Sequence, residues 1–178
     1  MRRLVLKMSV SVDGFVGTDS GSVDWIFPSL TDDAAAWEVD TLRQAGTHIM
    51  GRATYQDMAA HWPTSTEVFA APMNEIPKVV FSQTLTDTDW AGSRVANGDL
   101  VTEIARLEHE PGKDILAHGG AGFARSLSRL RLVDEYRLLV HPVVLGSGLP
   151  MFADPMNLRL IGTTAFSGGA IAHVYRPA

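Results

Sequence analysis

Two short segments carry residue types suited to holding phosphate. Gly119-Gly120-Ala121-Gly122 follows the strand-like run Ile115 to His118 and leads into a helical pattern. Small residues at such a turn let backbone N–H groups approach an anion, and the helix N-terminus adds positive potential. Met50-Gly51-Arg52-Ala53-Thr54-Tyr55 is a second strand-to-helix turn, where a guanidinium and a hydroxyl join the free N–H donors of a first helical turn. Each segment also has a plain structural explanation: a tight turn for the glycines, a solvated charge for Arg52 and helix capping for Thr54. Two such turns in one chain point to a single extended ligand with a diphosphate bridge.

Other chemistries lack their signatures. Histidines at 48, 61, 109, 118, 141 and 173 are not spaced to meet on one helix turn or strand face, and there is no cysteine, which argues against a zinc site. The Gly-Lys pair at 112–113 precedes Asp114, so a Walker-type loop is absent. No Gly-x-Ser-x-Gly elbow occurs, which leaves a hydrolase only as a minor alternative with a triad assembled from distant residues. Leu145-Gly146-Ser147-Gly148 follows a strand but no helix pattern follows it. It fails the test for a Rossmann fingerprint and reads as a sheet-edge loop facing the cleft.

Strands and helices must position these turns. Leu4, Leu6, Met8, Val10 and Val12 alternate with Val5, Lys7, Ser9 and Ser11, the period of a strand with two different faces, ending near Asp13-Gly14. A helix is expected from Thr31 through Leu42, with acids in its first turn and Gly46 as its stop. Thr47 to Met50 reads as a strand, Ala53 to Ala60 as a helix ended by Trp62-Pro63, and Lys78 to Phe81 as a strand. A helix capped by Asp99 runs to Leu107, Phe123 to Leu130 is another, and Glu135 to Val144 is a strand. Leu158–Phe166 and Ile171–Tyr175 flank Ser167-Gly168-Gly169 as a terminal hairpin. The pattern predicts an α/β domain with a mainly parallel sheet and an antiparallel end.

At 178 residues with 46% apolar and 20% charged residues, the chain is sized and composed for one domain, 1–178, with a packed core. A net charge of −5 lacks the basic footprint of a nucleic-acid binder. The first twelve residues fit neither a signal peptide nor a membrane span, and the absence of cysteine leans towards the cytoplasm.

Seven segments in order, Ser11-Val12-Asp13-Gly14, Asp24-Trp25, Met50 to Tyr55, Lys78 to Ser82, Gly119 to Ala121, Asp134-Glu135 and Pro142 to Gly148, resemble the dihydrofolate-reductase-like superfamily. Within it they are most similar to the reductase domain of the riboflavin-biosynthesis deaminase-reductase and its stand-alone relatives. The resemblance spans nearly the whole chain and implies a three-layer αβα sandwich. It implies NADPH lying across the sheet, with Gly51, Arg52, Thr54 and Ser82 near the adenosine phosphates and Gly119, Gly120, Ala121 and Gly122 at the pyrophosphate. Arg52 would pair with the 2′-phosphate; a charge-assisted contact of about 1.5–3 kcal/mol suffices to favour NADPH over NADH about tenfold or more. Gln83 stands where relatives often carry a base, which keeps NADH open as a second cofactor.

On the substrate side the resemblance carries over Asp13 and Trp25, with Leu145 and Gly146 in the loop facing the cleft. Asp13 is the candidate for hydrogen-bonding a pyrimidine- or pterin-like ring or passing a proton; its other reading is a turn aspartate before Gly14. Trp25 is either a stacking platform or a wall of the core, and the wall is the commoner case. His141 reads as a hydrogen-bonded strand histidine ahead of a proton donor. Dihydrofolate reductases place a carboxylate in the helix after the tryptophan. The direct offset here lands on Leu30, and Asp32 or Asp33 would serve only if the helix began later. The deaminase half, with its zinc motif, is not in this chain. The expected function is reduction of a small pyrimidine-, pterin- or sugar-derived substrate by NAD(P)H, resembling 5-amino-6-(5-phosphoribosylamino)uracil reductase. Dihydrofolate reduction and a non-catalytic NADPH-binding module are the alternatives. Relatives are commonly dimers, and Phe152, Leu158, Ile161 and Phe166 are candidates for a contact between copies.

Overall fold

A computed structural model describes all 178 residues. Eight strands form one sheet in the order β5-β4-β3-β6-β1-β7-β10-β9, with β1 Leu4–Ser11, β3 Ala45–Gly51, β4 Lys78–Phe81, β5 Ser93–Ala96, β6 Asp114–His118, β7 Glu135–His141, β9 Leu158–Ala165 and β10 Ile171–Pro177. Neighbours from β5 to β7 pair in parallel, and β10 and β9 close the sheet antiparallel. The short strands β2 Phe15–Gly17 and β8 Leu149–Pro150 pair beside it.

Helices α1 Asp32–Arg43, α2 Arg52–His61 and α3 Ala70–Glu75 cover one face, while α4 Leu100–His109 and α5 Ala121–Arg129 cover the other. The alternation in β1 is what allows this. Leu4, Leu6, Met8 and Val10 join Ile104, Leu107, Ala124 and Leu127 in the larger core. Val5, on the opposite face, packs with Leu42, Met50, Tyr55 and Met73. Val12 lies beyond the strand and is exposed.

Several boundaries differ from the sequence reading. Gly46 does not stop α1; it lies in β3, where a Cβ would sit 3.0 Å from the Lys113 backbone nitrogen, so close backbone approach is what requires glycine there. Helix α5 begins at Ala121 rather than Phe123. Strand β7 ends at His141, before Pro142, whose nitrogen has no hydrogen to donate. Helix α3, strand β5 and the 3-10 turn Asp24–Ser29 escaped the pattern, since each is too short for a periodic signal. Asp99 caps α4 as expected, accepting from the Thr102 N–H at 3.0 Å. Of the apolar residues assigned to a subunit contact, Phe166 is core, Phe152 and Leu158 pack against the core, and Ile161 is exposed. No helix is long and apolar enough to cross a membrane.

The amino-terminal ends of the central strands are latched by charge. Glu135 at the start of β7 accepts from Arg3 at 3.0 Å, Arg137 at 2.9 Å and Arg176 at 3.0 Å, and Arg3 also pairs with Asp114 of β6. The Glu135 side chain is only 4% exposed. Burial pushes its pKa up, but the hydrogen bonds from Arg137 and Arg176 and the charge of Arg3 outweigh this and hold it below the ordinary glutamate value. Its stabilising effect is therefore present above the unfolded-state value and lost as the pH falls through the lower folded-state value. We predict that Glu135→Ala, which leaves Arg176 without its carboxylate while Arg3 keeps Asp114 and Arg137 keeps Gln44, lowers unfolding free energy by about 1–3 kcal/mol in urea titrations at neutral pH, with the gap narrowing in acid.

Candidate functional site

The opposite, carboxy-terminal ends of β1, β3 and β6 open into a cleft of about 810 Å³. This is where crossover connections in a parallel sheet leave room for a ligand. Its walls include Gly51, Arg52 and Thr54 from the β3–α2 turn and Gly119, Gly120, Ala121 and Gly122 from the β6–α5 turn. Both helices have glycine at the N-cap and no side-chain cap. The first N–H groups of each helix thus lack an intrahelical acceptor, and both sets border one cavity. The turns are joined directly, the Thr54 hydroxyl donating to the Gly119 carbonyl. Gly119 and Gly120 are closely packed. A Cβ on Gly119 would collide with the Met8 sulfur at 2.1 Å, and one on Gly120 would lie 3.1 Å from Thr54 Oγ1, whereas Gly122 opens on free space.

Arg52 reaches Thr84 through Nη1 at 2.8 Å. Ser82 stands just outside the cleft lining, its Oγ accepting from the Leu85 N–H at 3.0 Å to brace the same loop. Gln83 donates to the Asn97 carbonyl at 2.9 Å, so Arg52 is left as the cation of this end of the cleft.

The substrate-side candidates assemble elsewhere. Asp13 Oδ1 accepts from Ser11 Oγ at 2.7 Å and from the Leu145 N–H at 3.1 Å, and Oδ2 accepts from the Gly146 N–H at 2.8 Å. The Ser11 hydroxyl and these backbone donors hold the carboxyl below the usual aspartate value. Asp13, Leu145 and Gly146 therefore form one brace between the end of β1 and the 145–148 loop, and none of them lines the cleft. Trp25 donates to the Ser22 carbonyl at 3.2 Å and meets the His141 ring edge-on at 5.6 Å, the geometry of a wall. Its neighbours Val23 and Ile26 border the cleft instead. His141 is buried, with Nδ1 2.8 Å from Ser29 Oγ. Asp33 is taken up by Thr31 and by the Ser167 hydroxyl and N–H; the Thr31 hydroxyl foremost brings it down to about 2. Neither Asp32 nor Asp33 reaches the cleft.

Three functional candidates escaped the sequence reading. Lys7 on β1 lines the cleft and pairs with Glu38 of α1 at 2.7 Å, both side chains being largely buried. The signal was present: a lysine as the one charged residue of the strand, and a glutamate on the α1 face shared with Ala34 and Leu42. Arg125, one turn into α5, lines the cleft as well. His118, the register partner of Lys7 on β6, closes the floor with its ring 4.7 Å from that of His48.

Comparison with known proteins agrees with this architecture. A dihydrofolate reductase from Enterococcus faecalis complexed with NADP(H) and RAB-propyl superposes with a TM-score of 0.66 at 13% identity, covering 98% of this chain and 96% of that one. A diaminohydroxyphosphoribosylaminopyrimidine deaminase/5-amino-6-(5-phosphoribosylamino)uracil reductase from Thermotoga maritima superposes at 0.73 with 16% identity, over 99% of this chain and 57% of that one. The fold is thus the dihydrofolate-reductase-like α/β sandwich. In sequence, the uncharacterized protein YyaP of Bacillus subtilis is 34% identical over 183 residues, covering 98% of this chain and 94% of that protein. The family model described as the RibD C-terminal domain matches residues 2–172, and the chain belongs to that family.

Two predictions follow from the cleft floor and its tie. Burial holds His48 down to about 4 and His118 well below its ordinary value, with the charge of Lys7 acting in the same direction on both. The unfolded chain binds these protons first, so stability is full above about pH 6.5 and falls as the pH drops towards 4. Denaturation across this window should lose roughly 3 kcal/mol through His48 alone, and His48→Gln should flatten the profile. Thr54→Val removes the donor to Gly119 and should cost about 1–2 kcal/mol by thermal melting.

Proposed function

We propose that this protein is an NADPH-dependent reductase acting on a pyrimidine-type substrate. The observation that carries the reading is the pair of uncapped, glycine-started helix N-termini, α2 and α5, tied through Thr54 and Gly119 and opening on one cleft. Two such ends about one extended cavity match a diphosphate-bridged dinucleotide better than a single phosphate. The residues fit the group. Ala121 and Gly122 would offer N–H donors to the pyrophosphate, while Arg52, with Ser82 behind it, would take the adenosine 2′-phosphate. When bound, the nicotinamide supplies the hydride.

The remaining work falls to the chain itself. Lys7, steadied by Glu38, presents ammonium hydrogens at the cleft floor to a substrate oxygen. Val16, Val23 and Ile26 give the reacting region an apolar border, which excludes water and strengthens that contact. Met8 and Gly119 set the depth at which a flat ring can lie. Asp13 acts by bracing the 145–148 loop. The RibD family membership and the likeness to a uracil reductase support a pyrimidine carrying a sugar-derived chain as substrate. A homodimer is part of the same reading, supported by the exposed edge strand β9 with Leu160 and Ile161.

The test measures NADPH affinity by thermal shift and calorimetry, and turnover by loss of reduced-nicotinamide absorbance with ribosylaminopyrimidine phosphates and pterins. NADPH should raise the melting temperature, and Arg52→Gln should weaken NADPH about tenfold while leaving NADH within about threefold. Lys7→Met should lower kcat by about tenfold to a hundredfold with NADPH affinity retained. No thermal shift with either nucleotide at millimolar concentration would overturn the reading. Binding without turnover on any of these substrates would leave a cofactor-binding module in place of an enzyme.

A further inference from the structure

A second cavity lies between the carboxy-terminal half of α5 and the 150–156 segment, with a volume of about 150 Å³. Arg125, Arg129 and Arg131 converge on it with Ser128, Phe152 and Asp154. We propose that this pocket is an anion site for a phosphate-sized oxyanion, either inorganic phosphate or a phosphomonoester group, distinct from the dinucleotide cleft.

The charge balance is the first reason. None of the three guanidiniums forms an ion pair. Arg125 donates to the Pro150 carbonyl and Arg131 to the Pro155 carbonyl, each at 3.1 Å, contacts that aim the side chains without neutralising them. Asp154 is the one carboxylate lining the pocket, against three arginines. That local excess of positive charge stands in a chain whose net charge is −5. Favourable interaction with the α5 C-terminus accounts for a cation in the last turn, but not for three around one concavity.

The backbone is the second reason. Arg131 is the single non-glycine residue with positive φ, at 57°. It follows the end of α5, with its N–H donating to the Ser128 carbonyl and that of Leu132 to the Leu127 carbonyl, both at 3.1 Å. Such a position favours glycine, yet here it carries the guanidinium that reaches the pocket. Planar guanidiniums suit the tetrahedral oxygens of such an anion. Arg125 lines both cavities, so filling the pocket would bear on the cleft through that side chain.

The experiment is a heteronuclear NMR titration of the whole protein with inorganic phosphate and, separately, glycerol phosphate, against chloride at matched ionic strength. Amides of 127–132 and 153–154 report this pocket, and those of Gly120 and Gly122 report the cleft. A saturable shift at the first set with a millimolar or tighter Kd is expected, with the tighter of the two titrants identifying the source. Arg129→Gln, which removes an exposed side chain, and Arg131→Asn, which tolerates the left-handed backbone, should each weaken it at least about fivefold. No saturable shift at these amides up to about 20 mM, or an unchanged Kd in Arg129→Gln, would overturn the proposal. Shifts confined to Gly120 and Gly122 would defeat the pocket and leave the cleft reading intact; shifts confined to 127–132 and 153–154 would support the pocket, while the cleft reading stands or falls on the NADPH thermal shift.

Discussion

The structure depends on where β6 is inserted. The chain lays down β1, β3, β4 and β5, then returns to place β6 between β3 and β1. That return brings the β6–α5 turn against the β3–α2 turn, close enough for Thr54 to bond Gly119 and for Met8 to fill the space a Cβ on Gly119 would need. Parallel strands send their following helices off from the same edge, so the N-termini of α2 and α5 point their unpaired donors into one cavity. Without that adjacency each turn would be an ordinary strand-to-helix corner.

The charge network and the cleft lie at opposite ends of the sheet. The amino-terminal ends of β1, β6 and β7 are fastened by Arg3, Asp114, Glu135, Arg137 and Arg176, a network whose members find charge-assisted partners and leave the buried carboxylate compensated. At the carboxy-terminal ends, donors are left without partners and His118 is held neutral by burial. Lys7 and Glu38 stand at the boundary between the two. Their ion pair lets charged side chains sit beneath the cleft at an acceptable desolvation cost, since each supplies the other's counter-charge. The helices on both faces remove water from the strands, which lends these few polar groups their strength.

Legibility in the sequence followed the range of the forces involved. The alternation of β1, the helix N-cap at Asp99 and the hairpin at 167–169 are set by neighbours a few residues away and were readable as pattern. The two glycine-bearing strand-to-helix turns were readable for the same reason, because a glycine at such a corner is a local requirement. Lys7 and Glu38 were not read as a pair, since they are partners only once α1 lies across β1. Asp13 shows the converse. Its position before Gly14 was visible, but its acceptors are spent on Ser11 and on a loop more than a hundred residues further along the chain. Gly46 was misread as a helix stop because the backbone it must admit, at Lys113, is equally remote.

The sequence by itself determined the class of fold, the helical and extended segments long enough to show a period, and the two glycine-bearing strand-to-helix turns, because these rest on backbone geometry and side-chain periodicity. Only the tertiary structure decided that the two turns share one cleft, that Lys7 and Arg125 line it, that Asp13 and Trp25 serve as brace and wall, and that three arginines gather at a second cavity. Each of those facts depends on distances across strands far apart in the chain. Such distances are fixed by the order in which strands enter the sheet and by the packing of helices on it, neither of which is encoded in any short run of residues.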